Sequence, residues 1–374
     1  MTSSSFDVAI VGGGPGGSAT ALSLKAHAPS LAVVLIEASR YEEFRIGETL
    51  PPPAGPILEH LRVWEAFRAQ GHREVHGTTA VWGAGVPLDN DFIYMPANTG
   101  WHLDRAAFDA MLAEQAASQG AAVLLDTRLR HAERADDEWR LTLSTGSIVS
   151  ARFLVDASGG AAAFARRCGA RFVDSDRLIG IARFFEGGAD DPRTLVEAFE
   201  DGWWYTAGLP GGRRIAACMT DSDLARRMRL KDAEQWSRTL AGMTNLCAML
   251  RGSKPCSPVV VRSTESRRLE PAAGDNWLAV GDSASRFDPL SSQGIVKALR
   301  SGIFASYAIG DLLTRNDDSG LHRYRRYVVE EFESYAAVRA KYYREEQRWP
   351  ASEFWRRRQA ETGSVMREGV IRDA

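Results

Sequence analysis

Three stretches of the chain gather residue types whose spacing could do chemistry. The first is VAIVGGGPGG, residues 8–17, where Gly12, Gly14 and Gly17 fall at GxGxxG spacing. An apolar run of strand character precedes them and a helix-forming run follows. In that context Gly12 permits a tight turn, Gly14 lets backbone approach a pyrophosphate, and Gly17 lets helix and strand pack closely. Pro15 sits inside the same turn, and the helix start beyond it offers free N–H groups to phosphates. Glu37 closes the next apolar run about 20 residues after Gly17, placed to accept from ribose hydroxyls. Strand, glycines, helix and acid together point to a bound dinucleotide. The second stretch is WLAVGDSASRFDPLSSQGIVKAL, residues 277–299. It reads as a strand, then Gly281 and Asp282, a loop, and a helix opening at Gly294, whose N-terminus would favour negative charge. The third is DGWWYTAGLP, residues 201–210. Such an aromatic run is either core or one wall of a pocket for a flat ring. On a strand, Trp203 and Tyr205 would share one face and Trp204 would take the other.

The elements that must position these residues follow from periodicity. Residues 6–11 read as a strand, 18–28 as a helix and 32–36 as a second strand, a βαβ unit whose short apolar runs suit a buried parallel sheet. Residues 50–56 carry four prolines and predict an extended loop. Residues 104–120 read as an amphipathic helix with Asp104 as N-cap. Strands are expected at 121–125, 139–143 and 148–155, the last two joined by a turn at Thr145 and Gly146. Residues 178–220 are β-rich with breaks at Gly187–Gly188 and Gly211–Gly212. Helix is expected over 222–250, 294–314 and 322–359, and a strand over 277–280. Sheet segments near both ends share one character, so one α/β domain with a second inserted into it is expected.

Bulk composition narrows the classes. The chain has 374 residues, 44% of them hydrophobic and 25% charged, with ample apolar material for a core. A net charge of −2 gives no global basic field for nucleic acid. No run reaches the roughly 18 apolar residues of a membrane span, and no signal peptide is read at the start. Cys168, Cys218, Cys247 and Cys256 form no CxxC pair, so no metal site is expected. These features suit a cytoplasmic location.

Taken as a set, the motifs resemble the flavin hydroxylases of the p-hydroxybenzoate hydroxylase type. Residues 277–299 are similar to their second fingerprint, in which the aspartate bonds a ribityl hydroxyl and the loop and helix start lie against the flavin. The resemblance gives those roles to Asp282, Pro289, Gly294 and Ile295. GWHLDRAAFDAMLAEQA, residues 100–116, resembles the family helix whose arginine meets the cofactor, here Arg105. FLVDASGGAAAFARR, residues 153–167, resembles the internal aspartate-glycine motif, with Asp156 in the aspartate place and Ala157 where glycine is usual. The implied fold is a Rossmann-like FAD-binding domain of glutathione-reductase type with an inserted β-rich substrate domain and C-terminal helices. The implied boundaries are 1–82, 101–175 and 262–315 for the FAD-binding domain, 83–100 and 176–261 for the substrate domain, and 316–374 for the helical region.

FRIGETLPPPAG, residues 44–55, resembles a loop of the flavin-dependent halogenases and their hydroxylase relatives that lies near the flavin, with Arg45, Gly47 and Glu48 as the matching residues. Residues 202–210 resemble the halogenase Gly-Trp-x-Trp-x-Ile-Pro motif, with Tyr205 where the second tryptophan stands. Halogenases also place a lysine soon after the loop to steer hypohalous acid. This chain has no lysine between Lys25 and Lys231, and arginine replaces a compact ammonium poorly. The resemblance therefore implies a halogenase-like scaffold whose FAD hydroperoxide hydroxylates an aromatic ring directly, with Trp203 and Tyr205 holding that ring. Glu48 and His76 fall in the stretch that resembles the halogenase tunnel and are the candidate proton acceptors.

RIGE with its prolines, GWWY and DPLSSQGI together resemble a subgroup that oxygenates a tryptophan inside a partner protein during quinone cofactor biogenesis. That is the partner type of lysine ε-oxidase and glycine oxidase. The substrate expected is a protein or peptide tryptophan, with a small free indole, pyrrole or phenol as the alternative. Reduction would come from NAD(P)H or a separate flavin reductase. Halogenation, reduction of isoprenoid double bonds and a non-catalytic chaperone role are the rival readings. KYYREEQRWPASEFWRRRQ, residues 341–359, mixes arginines with aromatics and reads either as a peptide-docking surface or as a solvated helix whose arginine stems cover apolar surface.

Overall fold

A computed structural model describes residues 3–94, 98–188 and 190–360. The chain forms two compact units. The first comprises Met1–His72, Leu103–Ser175 and Ser266–Phe332. The second comprises Arg73–His102, Asp176–Glu265 and the chain from Glu333. Residues 73–82, expected beside the first strands, therefore group with the second unit, and the C-terminal region divides between the two. Residues 95–97 and 361–374, expected in the substrate domain and the helical region, lie outside the described residues.

The first unit is built on a sheet whose path runs Ala273–Gly274, Trp277–Ala279, Ile148–Asp156, Ser3–Val11, Val33–Ile36, Ala122–Leu124. From Trp277–Ala279 to Ala122–Leu124 these strands pair in parallel. Val33–Ile36 is buried along its whole length, as a two-sided parallel strand requires. Glu138–Leu143 pairs antiparallel with Ile148–Asp156 and buries alternate residues. The register sets Val11 beside both Asp156 and Ile36, and Asp156 beside Ala279. The glycine-rich turn, Glu37, the turn after Asp156 and the Gly281–Asp282 turn thus leave the same carboxyl edge of the sheet, where doubly wound folds bind ligands. Helix Pro15–His27 packs on Gly294–Arg315 so closely that a Cβ at Gly302 would stand 2.4 Å from the Gly16 carbonyl oxygen.

The second unit holds an eight-stranded sheet with the path Lys254–Pro255, Leu178–Glu186, Arg213–Asp221, Gly202–Leu209, Thr194–Phe199, Gly77–Val81, Pro87–Asp91, and Val260–Ser263 also pairs with Leu178–Glu186 off that path. The residues expected as one helix over 222–250 form three short ones, Ser222–Arg227, Ala233–Ala241 and Thr244–Met249. They supply Ala225, Trp236 and Leu246, and the connection between the first two supplies Leu230, to a core that also holds Trp204 of the sheet. The C-terminal helix expected over 322–359 is two, Ser319–Glu345 and Glu353–Ala360, with Pro350 between them. The proline stretch also differs from expectation. Residues 51–53 lead directly into helix Ala54–His60. Pro56 is tolerated because its missing N–H lies in the first turn, where no intrahelical acceptor exists. Among the described residues no helix is long and apolar enough to cross a membrane.

Candidate functional site

The first unit brings the fingerprint residues together. Each glycine has a separate steric reason. A Cβ on Gly12, at φ +113°, would lie 2.1 Å from the Ala157 carbonyl oxygen, and one on Gly17 would lie 2.0 Å from the Gly12 carbonyl oxygen. A Cβ on Gly14 would meet no atom within 4 Å. Gly14 is the N-cap of the first helix, with no side-chain cap, and Pro15 is at its start. Crowding explains Gly12 and Gly17 but not Gly14.

Glu37 is buried, and neighbouring groups fix its carboxylate. Its Oε2 accepts from the Gly13 N–H at 2.7 Å. Its Oε1 accepts from the Ser39 N–H at 3.0 Å and the Ser39 hydroxyl at 2.5 Å, and Arg45 donates to it at 3.2 Å. Arg45 also donates to Asp109 at 2.8 Å and lies over the Tyr41 ring at 4.7 Å. Arg105, at the start of helix Arg105–Ser118, is capped by Asp104 as expected, with the carboxylate accepting from Ala106 and Ala107. Its Nη1 donates to the carbonyls of Ile46 at 3.2 Å and Gly47 at 2.7 Å, and its Nη2 pairs with Asp109 at 3.2 Å.

Asp282 keeps 43% of its side chain exposed. Lys297 pairs with it at 2.9 Å and Arg286 stands 3.7 Å away. Burial pushes its carboxyl up, and Lys297, Arg286 and the more distant Arg105 outweigh that and hold it below the ordinary carboxylate range. Lys297 is almost fully buried and also donates to the Ser285 carbonyl. Asp288 caps the short turn Pro289–Ser291 by accepting from Leu290 at 2.9 Å. Gly294 then opens the 22-residue helix Gly294–Arg315 with no side-chain cap, and Ile295 is buried behind it. Asp156 is a structural anchor: its carboxylate accepts from Ser158, Phe164 and Ala165 and meets the Ser283 hydroxyl at 3.1 Å. It thereby fixes the Gly281–Ser283 turn from beneath.

Glu48 is buried in the first unit at 2% exposure. His76 is exposed, in the second unit between Arg73–Val75 and Gly77–Val81. In the second unit every residue of Gly202–Leu209 is buried. Trp204 packs on Trp236 at 5.0 Å within the core. Trp203 faces the other way, as alternation requires, but does not stand on an open wall. It is 1% exposed and its indole N–H donates to the Tyr343 hydroxyl at 3.0 Å. The edge of its indole thus meets an aromatic from a helix remote in sequence. Tyr205 retains 9% exposure.

Sequence reasoning passed over two residues that the fold makes central. Asp109 follows Arg105 by one helical turn, which was the available signal. Lys297 is a lone cation in the apolar run GIVKAL, which was the other.

Comparison with known proteins agrees with this architecture. The family model for tryptophan halogenase matches residues 7–82 and 84–368. The chain is 30% identical over 364 residues to LodB of Marinomonas mediterranea, to which an FAD-dependent oxidoreductase activity is ascribed. That match spans 95% of this chain and 97% of LodB. The structure of CmlS, a flavin-dependent halogenase, superposes with a TM-score of 0.85 at 27% identity, over 100% of this chain and 71% of CmlS. QhpG, a peptidyl tryptophan dihydroxylase essential for tryptophylquinone cofactor biogenesis, superposes with a TM-score of 0.74 at 25% identity, over 95% of this chain and 79% of QhpG. The chain therefore belongs to the tryptophan halogenase family and has the fold of its FAD-dependent oxidoreductases.

Proposed function

We propose that this chain is an FAD-dependent monooxygenase that hydroxylates an aromatic ring, and that the ring is a tryptophan side chain in a peptide or partner protein. The observation that carries the cofactor is Gly14. In a turn where Gly12 and Gly17 are forced by backbone contacts and Gly13 by the Tyr41 side chain, Gly14 is open, and a side chain there would fill the cradle at the helix N-terminus. Gly12, Gly14, Pro15 and Gly17 would hold the diphosphate, Glu37 and Arg45 the adenosine side, and Arg105 and Asp282 the middle. Residues 289–295 would face the ring system. The uncapped N-terminus of Gly294–Arg315 suits the negative charge that a reduced flavin carries. When bound, FAD supplies reductive activation of dioxygen, with electrons from NAD(P)H or a separate reductase.

One observation favours a protein tryptophan as substrate, and a second argues against halogenation. The likeness to QhpG, a peptidyl tryptophan dihydroxylase, spans 95% of this chain. The absence of lysine between Lys25 and Lys231 removes the ammonium that halogenation would use. Glu48, shielded from bulk water, is assigned to accept the ring proton, and the exposed His76 is not. Tyr205 is the aromatic assigned to the substrate side.

The test is co-expression with the protein products of neighbouring genes, followed by mass spectrometry. Added oxygen on one tryptophan of a partner, lost in Gly14→Trp, is the expected result. A protein that binds no flavin would overturn the cofactor reading. One that binds flavin but adds oxygen only to small free aromatics would overturn the substrate reading.

A further inference from the structure

Asp109 lies at the middle of an unbroken chain of charges in the first unit. The chain begins at the Gly13 N–H, which donates to Glu37, and Glu37 receives Arg45 at 3.2 Å. Arg45 reaches Asp109 Oδ2 at 2.8 Å. Arg105 reaches Asp109 Oδ1 and Oδ2, both at 3.2 Å, and its other nitrogen holds the Ile46 and Gly47 carbonyls. Arg45, Ile46 and Gly47 are consecutive, so the ring closes on the loop itself. Glu37 and Asp109 balance Arg45 and Arg105 charge for charge. Asp109 has 1% side-chain exposure, which makes it the buried member that both arginines share.

We propose that Asp109 is a positioning residue, one carboxylate that fixes the loop of residues 44–48 by holding Arg45 and Arg105 together. Arg45 pulls the start of the loop down onto the helix. Arg105 can clamp the loop carbonyls because Asp109 fixes the other edge of its guanidinium. Removing that one charge leaves Arg45 with Glu37 and takes from Arg105 the carboxylate it holds at 3.2 Å, so both clamps loosen together. The importance of this loop to catalysis rests on the flavin reading given above, but its anchoring is a property of the chain alone.

Limited trypsin digestion of the flavin-free protein tests the proposal, because Arg45 is both an anchor of the loop and a trypsin recognition residue. Trypsin must draw the guanidinium out of its ion pairs before it cuts the Arg45–Ile46 bond. Asp109→Asn keeps the shape and removes the charge, and should speed that cut by about tenfold or more. The urea midpoint should fall, because a buried carboxylate shared by two arginines is lost, but cutting at other sites well below the midpoint should stay within about twofold of wild type, because those sites open by their own local unfolding. Arg105→Lys keeps the positive charge but has one nitrogen where Arg105 uses Nη1 for the two carbonyls and Nη2 for the carboxylate, so it cannot span both, and it should also speed the cut. An unchanged rate at Arg45 in either variant overturns the proposal. So does an equal rise at all sites, which would make Asp109 ordinary packing. The digestion uses no flavin, so failure of the flavin reading leaves this result standing. Added FAD should slow the Arg45 cut in wild type more than in Asp109→Asn.

Discussion

Gly14→Ala should separate the fold from cofactor binding, because the three fingerprint glycines are glycine for different reasons. A methyl on Gly14 meets no atom within 4 Å, and its φ of −73° is open to any residue. Restricting the unfolded chain should stabilise by about 0.4–1 kcal/mol. Replacing glycine by alanine at an N-cap offsets a similar amount, so stability should barely move. Gly17→Ala forces a methyl to 2.0 Å from a backbone oxygen, and Gly12→Ala one to 2.1 Å at a positive φ. Overpacking against backbone costs about 1–3 kcal/mol, and Gly12 adds strain of about 1–3 kcal/mol. For FAD the order reverses. A methyl at Gly14 would hold a diphosphate off the helix N-terminus and weaken one charge-assisted hydrogen bond, about 1.5–3 kcal/mol, or roughly 10- to 100-fold in Kd. Urea unfolding of the flavin-free protein and fluorescence titration with FAD read the two effects. A Gly14→Ala protein that loses stability like Gly17→Ala, or that binds FAD as tightly as wild type, would refute the division of roles.

Four further outcomes are expected. Asp282→Asn should weaken FAD binding and also destabilise the fold by about 1–3 kcal/mol, because it removes the carboxylate partner of the buried Lys297; retention of both properties in titration and urea unfolding would show the second fingerprint to be misread. Burial lowers His72 and His102 to about 4, and at His102 the carbonyl of Gly208 opposes burial only partly. With an unfolded value near 6.5, the unfolded chain binds protons that the fold refuses, so stability is whole above about pH 6.5 and falls as pH drops toward 4. By pH 5 His102 alone accounts for about 2 kcal/mol, and His102→Gln should flatten the slope of unfolding free energy between pH 6.5 and 5. Trp203→Ala and Trp204→Ala should each cost about 3–5 kcal/mol in unfolding experiments, whereas Tyr205→Ala should keep FAD and release more hydrogen peroxide per oxygen consumed. Chloride or bromide with reduced flavin should yield no halogenated tryptophan by mass spectrometry; a halogenated product would refute the argument from the missing lysine.

Local chemistry made part of this protein legible in its sequence. The glycine turn could be read because backbone sterics and helix-end hydrogen bonding act within a dozen residues. The Asp104 cap, the parallel strands and the strand alternation that divides Trp203 from Trp204 were readable for the same reason. The second fingerprint was readable because a strand, a turn and a helix start follow one another without interruption. Only the tertiary structure showed that the carboxyl edge of one sheet collects these turns, since register between strands over 100 residues apart leaves no mark on either strand alone. It also decided which charges meet. Sequence alone shows neither that Arg45 and Arg105 share Asp109 nor that Asp282 pairs with Lys297, contacts that hold these side chains where they would meet a cofactor. Trp203 was readable as an inward aromatic but not as an enclosed one, because the hydroxyl that satisfies its indole comes from Tyr343, on a helix 140 residues away in the chain. Pairings of this kind depend on long-range packing, and a buried polar group takes whichever partner the fold delivers within about 3 Å.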